Sequence, residues 1–158
     1  MTFLKNAKKN LMKTRFAYEN NKYFPRYSDR HTRRVDIRFL NLAKCKATIH
    51  FSMHIERFKQ VYKRYLTRKM HCKPSAVKFD KMSTSITRIQ NAVLQDVDDC
   101  YGWTDGSRIY ISTILEMSFN QVVSTLIHEE LHCFCKVRGK ALGAQVEHHC
   151  MKVLGEVF

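Results

Sequence analysis

The sequence has few residues that interrupt regular structure, with 5 Gly and 2 Pro among 158 residues. It also lacks any stretch close to the ~20 apolar residues that a membrane-spanning helix needs. The start of the chain is no apolar segment either, because Lys5, Lys8 and Lys9 interrupt it. A secretory signal is therefore not expected. We expect an intracellular protein (in the cytoplasm, the nucleus or a host cell) that does not associate with membranes.

The six cysteines lack the spacing of a disulfide framework or of a cysteine-based zinc site. There is no CxxC, and Cys133 and Cys135 form only a CxC, whose side chains would diverge on a helix. In a chain that is not exported, cysteines are expected to stay reduced. We therefore expect most of them to be small buried apolar residues.

Positive charge is concentrated in one half of the sequence. Residues 1–80 contain 21 Lys and Arg but 5 Asp and Glu, whereas residues 81–158 contain 7 and 9. Such asymmetry favours a polyanion partner, with a merely solvated charged face as the alternative. Lys and Arg are interspersed with aromatics over residues 5–69, which suits phosphates and unpaired bases. The candidate nucleic-acid-binding residues are Arg57, Lys63, Arg64 and Arg68, and whether the partner is DNA, RNA or another polyanion stays open.

The pattern along the chain predicts a basic N-terminal helix and arm over residues 1–34 and one domain over residues 35–158. Alternation of apolar and polar residues predicts strands at 35–39 and 49–53, and helical spacing predicts a basic amphipathic helix over 54–69. A short strand is expected at 76–80. Ile86, Ile89, Val93 and Val97 predict a further helix, and the turn signal Asp105-Gly106 precedes a predicted strand at 108–112.

The best-defined helix is predicted to begin after Ser118. Ser118 and Gln121 match a capping box, and Met117 and Val122 match the hydrophobic staple that often accompanies it. Gly139 is the expected C-terminal stop of this helix.

Within that helix stands the sequence His128-Glu129-Glu130-Leu131-His132, an HExxH motif. Histidines four residues apart project from one face of a helix, so both imidazoles can bind a single ion. Zinc is the ion that this motif favours, with Glu129 as the base that activates a metal-bound water. We expect the helix to bury its apolar side and to present both histidines from another side. The alternative is an ordinary helix with two surface or packed histidines.

A catalytic zinc needs a third protein ligand, and the candidates cluster in one segment near the C-terminus. A final helix is expected from about residue 143. On its helical wheel Glu147 flanks the apolar face, which favours Glu147 as the ligand. His148 and His149 are the alternatives, since a turn that continues to residue 148 would change the geometry.

The predicted strand at 108–112, the HExxH helix and the late cluster of Glu and His together resemble the minimal core of zincin peptidases, over about residues 97–158. The chain is most similar to SprT-like (Spartan-type) proteases and to minimal gluzincin-like peptidases of phages and viruses. The resemblance implies an α+β fold in which a small mixed sheet packs beside the HExxH helix, with a C-terminal helix following. It also implies an edge strand that binds substrate in extended form, here with Arg108, Tyr110 and Ser112. SprT-like proteins would place a histidine near His148, and gluzincin-like proteins a glutamate, which Glu147 matches.

The sequence therefore predicts a zinc endopeptidase with one Zn²⁺ per chain, acting on a protein or peptide substrate. Tyr101 and Tyr110 are candidate donors to the transition-state oxyanion. Because SprT-like proteases act on proteins crosslinked to DNA, the basic half suggests substrates associated with nucleic acid. A lytic peptidase released by a phage or virus is less consistent with the missing signal. The main alternative is a non-enzymatic nucleic-acid-binding or packaging protein with a structural or vestigial metal site.

Overall fold

The computed structural model describes residues 31–137, 140 and 141. Over this part the fold is α+β, as predicted, with three helices and three small sheets. The helices are α1 (Ile37–Lys69), α2 (Met82–Gln90) and α3 (Phe119–Phe134). The strands are β1 (Thr32–Arg34), β2 (Val77–Phe79), β3 (Val93–Gln95), β4 (Gly102–Thr104), β5 (Ile109–Ser112), β6 (Glu116–Ser118), β7 (Cys135–Val137) and β8 (Lys140–Ala141). Residues 1–30 of the predicted arm and the predicted final helix lie outside the described residues.

Helix α1 is the longest element, with 33 residues and a length of about 50 Å. Asp36 caps its N-terminus, where the carboxylate accepts a hydrogen bond from the backbone N–H of Phe39 at 2.8 Å. Arg68 and Lys69 lie in its last turn, where positive charge is favoured by the helix dipole. In the described part of the chain, no helix is apolar over enough of its length to cross a bilayer.

The strands predicted at 35–39 and 49–53 are wrong, because α1 covers residues 37–69 without a break. Burial follows the helical repeat and not the alternation of apolar residues. Phe51 is fully buried, whereas Ile49 and Met53 on either side of it are 61% and 71% exposed. The buried stripe of α1 instead recurs every three or four residues: Phe39, Leu40, Ala43, Ala47, Phe51, Ile55, Phe58, Tyr62 and Leu66.

The helix predicted from Ile86 to Val97 is too long. Helix α2 ends at Gln90, and Val93 already belongs to β3, which pairs in parallel with β5. Short apolar runs fit a helix or a buried strand equally well, and the pairing partner decides between them. The short strand predicted at 76–80 is confirmed as β2, and the strand predicted at 108–112 is confirmed as β5.

The predicted start of α3 is confirmed in its geometry. The hydroxyl of Ser118 accepts from the backbone N–H of Gln121 at 3.1 Å, and the Gln121 side chain accepts from the Ser118 N–H at 2.8 Å. Met117 and Val122, the two staple positions, are both fully buried. A capping box of this kind satisfies two N–H groups that the first helical turn leaves without a partner.

The predicted end of α3 at Gly139 is wrong, because the helix ends at Phe134. Cys135 already has an extended backbone and begins β7, which pairs with β2 in register Phe79↔Cys135. A pairing partner more than 50 residues earlier in the sequence thus ends the helix. A glycine near the end of a predicted helix indicates only a local backbone preference, so it could not predict the pairing of β7 with β2.

Three sheets surround α3. β1 pairs with β6, so Thr32–Arg34 of the predicted arm is part of the sheet structure. The second sheet has the order β2-β7-β8, and the third, mixed sheet has the order β3-β5-β4. Helix α3 packs against this third sheet, and also against α1 and α2. The helix that carries the HExxH motif is therefore at the centre of the described fold and not at its margin.

Gly102 allows β4 to approach α3 closely. A Cβ at this position would lie 2.6 Å from Cγ2 of Thr125 and 2.9 Å from the backbone oxygen of Tyr110. Both distances are shorter than van der Waals contact. The sheet and the helix can therefore pack in this way only with glycine at position 102.

We expect Gly102→Ala to lower the free energy of unfolding by about 1–3 kcal/mol, because the added methyl group overpacks this contact. Urea unfolding followed by circular dichroism would measure it. Thr125→Ser removes Cγ2 but keeps the hydroxyl that donates to Gln121, so the double variant should recover part of the loss. Thr125→Ser alone is the control. A Gly102→Ala protein as stable as the wild type would contradict the close approach.

Candidate metal centre

The HExxH residues lie in the second half of α3, and their side chains meet as the helical spacing predicts. The Nε2 atoms of His128 and His132 are 3.2 Å apart, and the two rings are 4.9 Å apart between centroids, with 72° between their planes. One ligand atom each from His128, Glu129 and His132 lies within 4.8 Å of the other two. Among the described residues, these three are the group of His, Cys, Asp or Glu that could hold a metal ion.

The distance between the two imidazole nitrogens fits a shared zinc ion. Two nitrogens at ~2.05 Å from one tetrahedral zinc are about 3.3 Å apart. The observed separation of 3.2 Å agrees with that value. Neutral imidazole is also a common zinc ligand. The donor type and the spacing of the two nitrogens therefore fit zinc, and the same spacing also fits a direct hydrogen bond between the two rings.

Burial of the centre differs from the sequence prediction. His128 and Glu129 are fully buried and His132 is 2% exposed. The sequence predicts that α3 buries its apolar side and presents both histidines from another side, and in the structure that other side is buried as well. Every residue from Val122 to Phe134 is buried. The physical reason is that α1, α2 and the β3-β5-β4 sheet enclose α3, and an enclosed helix has no solvent face.

Glu130, the residue after Glu129, is held by a buried ion pair. The guanidinium of Arg88 in α2 donates to both carboxylate oxygens of Glu130, at 2.7 and 2.8 Å. It also donates to Asp80 at 2.8 Å, and Lys136 lies 2.9 Å from the other oxygen of Asp80. Two acids and two bases thus form a network that joins α2 and α3 with the β2-β7 pair. A bidentate pair of this kind restricts the orientation of both partners.

Burial changes the acidity of the two side chains that flank the centre. Burial raises the pKa of Glu130 to about 7, although the hydrogen bonds and charge of Arg88 lower it. Burial also raises the pKa of Cys133 to about 12, and its sulfur lies 3.3 Å from the hydroxyl of Thr104. The group of described residues that could hold a metal ion does not include Cys133. The five cysteines in the described part of the chain are free thiols, as predicted.

The strand predicted to bind substrate is not an edge strand. β5 lies between β3 and β4, and both of its sides are paired. Substrate therefore cannot add to residues 109–112, and the predicted role of this strand is corrected. The order follows from residues 93–104, which supply both neighbouring strands. The outer strands of this sheet are β3 and β4.

The side chains predicted to bind substrate serve other contacts. Tyr110 stacks on Trp103 at 4.3 Å, on the face of the sheet opposite Ile111, and its hydroxyl donates to Asp105. The hydroxyl of Ser112 donates to a backbone oxygen and accepts two backbone N–H groups from the following turn. Arg108 is exposed before β5. None of these three is among the residues grouped around the two histidines.

The remaining candidates are the third metal ligands, Tyr101 and the nucleic-acid-binding residues. Glu147, His148 and His149, the candidate third ligands, lie outside the described residues. Tyr101 is half-buried before β4, where its backbone oxygen accepts from the N–H of Ser112. The candidate nucleic-acid-binding residues all lie on α1 and are all exposed: Arg57, Lys63, Arg64 and Arg68.

Sequence reasoning did not identify Arg88 as a residue of the site. Its partners Glu130 and Asp80 are 42 and 8 positions away, so no local spacing could indicate the pair. One signal existed in retrospect. Glu130 lies on a helix whose hydrophobic residues predict burial, and a buried carboxylate needs a cation.

We expect Arg88→Met to destabilise the protein by about 3–5 kcal/mol near pH 8, because it leaves the Glu130 carboxyl buried without its cation. Asp80 keeps Lys136. The loss should be smaller near pH 5, because the pKa of about 7 keeps Glu130 protonated there in the folded protein. Without Arg88 the folded pKa rises further above the usual 4.5, so stability is lost as the pH rises.

Urea unfolding of both proteins at the two pH values measures this difference. The double variant Arg88→Met with Glu130→Gln is the control. The difference between its free energy of unfolding and that of the wild type should no longer depend on pH in this way. Equal deficits for Arg88→Met at both pH values would contradict the role given to the ion pair.

The centre thus contains two imidazoles at the spacing of zinc ligands and an adjacent carboxylate. The buried ion pair of Arg88 and Glu130 lies beside them. In comparisons with known proteins, no family model, no curated protein and no solved structure matches the chain. The residues of the centre are therefore the basis for inferring function.

Proposed function

We propose that the protein is a zinc-dependent endopeptidase whose metal ligands include His128 and His132. The observation that supports this most is the 3.2 Å separation of the two Nε2 atoms, with the Glu129 carboxylate in the same cluster. The third ligand is Glu147, with His148 and His149 as alternatives. A glutamate ligand corresponds to the resemblance to gluzincin-like peptidases, and a histidine ligand near residue 148 would correspond to the resemblance to SprT-like proteases.

Each residue has a definite part in peptide hydrolysis. A zinc ion held by His128 and His132 would supply a Lewis acid that polarises the peptide carbonyl and lowers the pKa of a water molecule. Glu129 would accept a proton from the attacking water and deliver it to the nitrogen of the leaving amine. Arg88 and Glu130 hold α3 against α2, so that Glu129 and the two imidazoles keep their position relative to the surrounding fold. Burial strengthens these electrostatic interactions, because water screens them less.

The second candidate is a non-enzymatic nucleic-acid-binding protein with a structural metal ion. The full burial of His128 and Glu129 favours this candidate, since structural zinc sites are closed and catalytic sites keep an open position. Exposed cations in the C-terminal half of α1 provide a surface for phosphates in either case. In the first candidate that surface recruits the peptidase to proteins bound to nucleic acid.

We expect Glu129→Gln to abolish hydrolysis while zinc stays bound, because the amide cannot accept the proton but the ligands are unchanged. A loss of at least ~10²-fold is expected, as for removal of a general base. Cleavage of unfolded casein and self-cleavage would report activity, and elemental analysis of protein purified without an affinity tag would report zinc.

Glu116→Gln is the matched control, because Glu116 is an exposed glutamate on β6. It should change neither activity nor zinc content. Equal activity in Glu129→Gln and the wild type would refute the mechanism. Zinc in a wild-type protein that cleaves nothing would favour the second candidate.

We also expect about one zinc per chain, lost when His128 and His132 are both replaced by Ala. The chain offers a matched pair of histidines for comparison. His50 and His54 have the same spacing on α1, with ring centroids 4.6 Å apart, but do not belong to the three-residue cluster. Replacing these two should leave the zinc content unchanged. Loss of zinc from both double variants, or from neither, would contradict the assignment.

The same measurement identifies the third ligand. Glu147→Gln, His148→Ala and His149→Ala are made separately, and zinc affinity is determined by competition with a chelator. We expect the largest loss for Glu147→Gln, because a missing first-sphere ligand costs more than a missing neighbour. Unchanged affinity in all three variants would contradict a ligand from this segment.

A further inference from the structure

A cavity of about 420 Å³ lies at the other end of α3, between the start of α1 and the N-terminus of α3. Five residues line it: His31, Thr32, Arg33, Phe39 and Phe119. The rings of Phe39 and Phe119 are 5.8 Å apart between centroids, with 59° between their planes. Phe39 is nearly buried and Phe119 is half-buried. The cavity therefore has an aromatic floor and an aromatic wall.

Cations border the two rings. The guanidinium carbon of Arg33 lies 4.3 Å from the centroid of Phe39, and Nζ of Lys46 lies 5.6 Å from the centroid of Phe119. Lys46 also donates to the side chain of Asn120. Cations placed over aromatic faces in this way are attracted by the ring quadrupole.

The surroundings of the cavity are positive overall. Arg34 and Arg38 are exposed near Arg33. Two carboxylates lie close by. Asp36 is 3.9 Å from Arg33 and caps α1, and Glu116 is opposite Arg34 in the β1-β6 pair. With Lys46, four positively charged side chains and two carboxylates thus lie around the cavity. The excess of positive charge favours an anionic ligand.

A flat apolar ring with an attached negative charge fits this combination. The aromatic side chains accept the ring by stacking, and Arg33 accepts the charge. A volume of about 420 Å³ lies in the range of small-ligand sites and suits one base with its sugar and phosphate. An acyl chain would fill the space beside the rings but would bring no negative charge to the cations around the cavity.

We propose that this cavity, the aromatic pocket, binds an unpaired nucleotide of a single-stranded nucleic acid. The base stacks on Phe119 and the adjacent phosphate contacts Arg33. The exposed Arg34 and Arg38, close to Arg33 in the chain, add positive charge for further phosphates, and this favours a strand over a free nucleotide. Base pairing would prevent stacking, so duplexes bind without use of the pocket.

The pocket and the metal centre are separate sites on one helix. Phe119 precedes His128 by nine residues, which is about 13.5 Å along the axis of α3. Nucleotide binding needs neither zinc nor hydrolysis. Failure of the peptidase proposal would therefore leave this inference standing, and the reverse also holds.

The test measures binding of fluorescein-labelled 12-mers to the full chain by fluorescence anisotropy, with no zinc added. The first oligonucleotide is oligo(dT), the second carries abasic sites at all central positions, and the third is a duplex. We expect oligo(dT) to bind roughly 5- to 100-fold more tightly than the abasic strand, which keeps the phosphates but has no bases to stack.

Variants assign that difference to the pocket. Phe119→Leu should reduce oligo(dT) binding to the abasic level and leave abasic binding unchanged, whereas Phe119→Tyr should keep the preference. Phe79→Leu is the matched control, since Phe79 is also half-buried but lies beside Phe134. Arg33→Ala should weaken both strands, and circular dichroism verifies that each variant is folded.

Several results would overturn the proposal. They are equal binding of oligo(dT) and abasic strands, a loss of the same size for Phe119→Leu and Phe79→Leu, and duplex binding as tight as that of oligo(dT). Thymidine monophosphate that displaces oligo(dT) at the same concentration as a competing strand would assign the pocket to free nucleotides instead. If Phe119→Leu does not fold, photocrosslinking of iodouracil-substituted oligo(dT) to the wild type decides. A crosslink to Phe39 or Phe119 supports the pocket, and crosslinks only elsewhere refute it.

Discussion

Enclosure of α3 is the constraint on which the rest of the structure depends. The helix packs against α1, α2 and the β3-β5-β4 sheet, and every residue from Val122 to Phe134 is buried. Close approach on the sheet side requires Gly102. Polar groups on such a helix must find partners within the protein, because water cannot reach them. The positions of the polar residues of α3 are therefore set by the interior of the fold.

Two different solutions to that constraint occur on neighbouring residues. Glu130 is satisfied by the bidentate contact with Arg88, which ties α2 to α3. His128 and His132 bring their Nε2 atoms to the distance expected for ligands of one zinc ion. Glu129 adds a buried carboxylate to the same region, and a buried negative charge is stabilised by a nearby positive charge. A metal ion between the two imidazoles would provide that positive charge. The ion pair and the proposed metal site thus have the same physical origin.

The two ends of α3 are suited to different chemistry. The C-terminal half carries the His and Glu cluster in the interior, whereas Phe119 at the N-terminal end lines an aromatic pocket bordered by Arg33. A rigid helix keeps the distance between the two sites constant. If both proposals hold, a nucleic-acid strand bound in the aromatic pocket would set the position at which a protein on that strand reaches the metal centre. The strong positive charge of α1 would increase the rate of such encounters.

The sequence by itself determined the features that depend on neighbours within a helical turn. The capping box of Ser118 and Gln121 and the shared face of His128 and His132 are of this kind, and the structure has both. Only the tertiary structure decided where α3 ends, that β5 is a central strand and that Arg88 contacts Glu130. Each of these depends on residues far apart in the chain, and hydrophobic periodicity holds no information about which distant segment will be the partner.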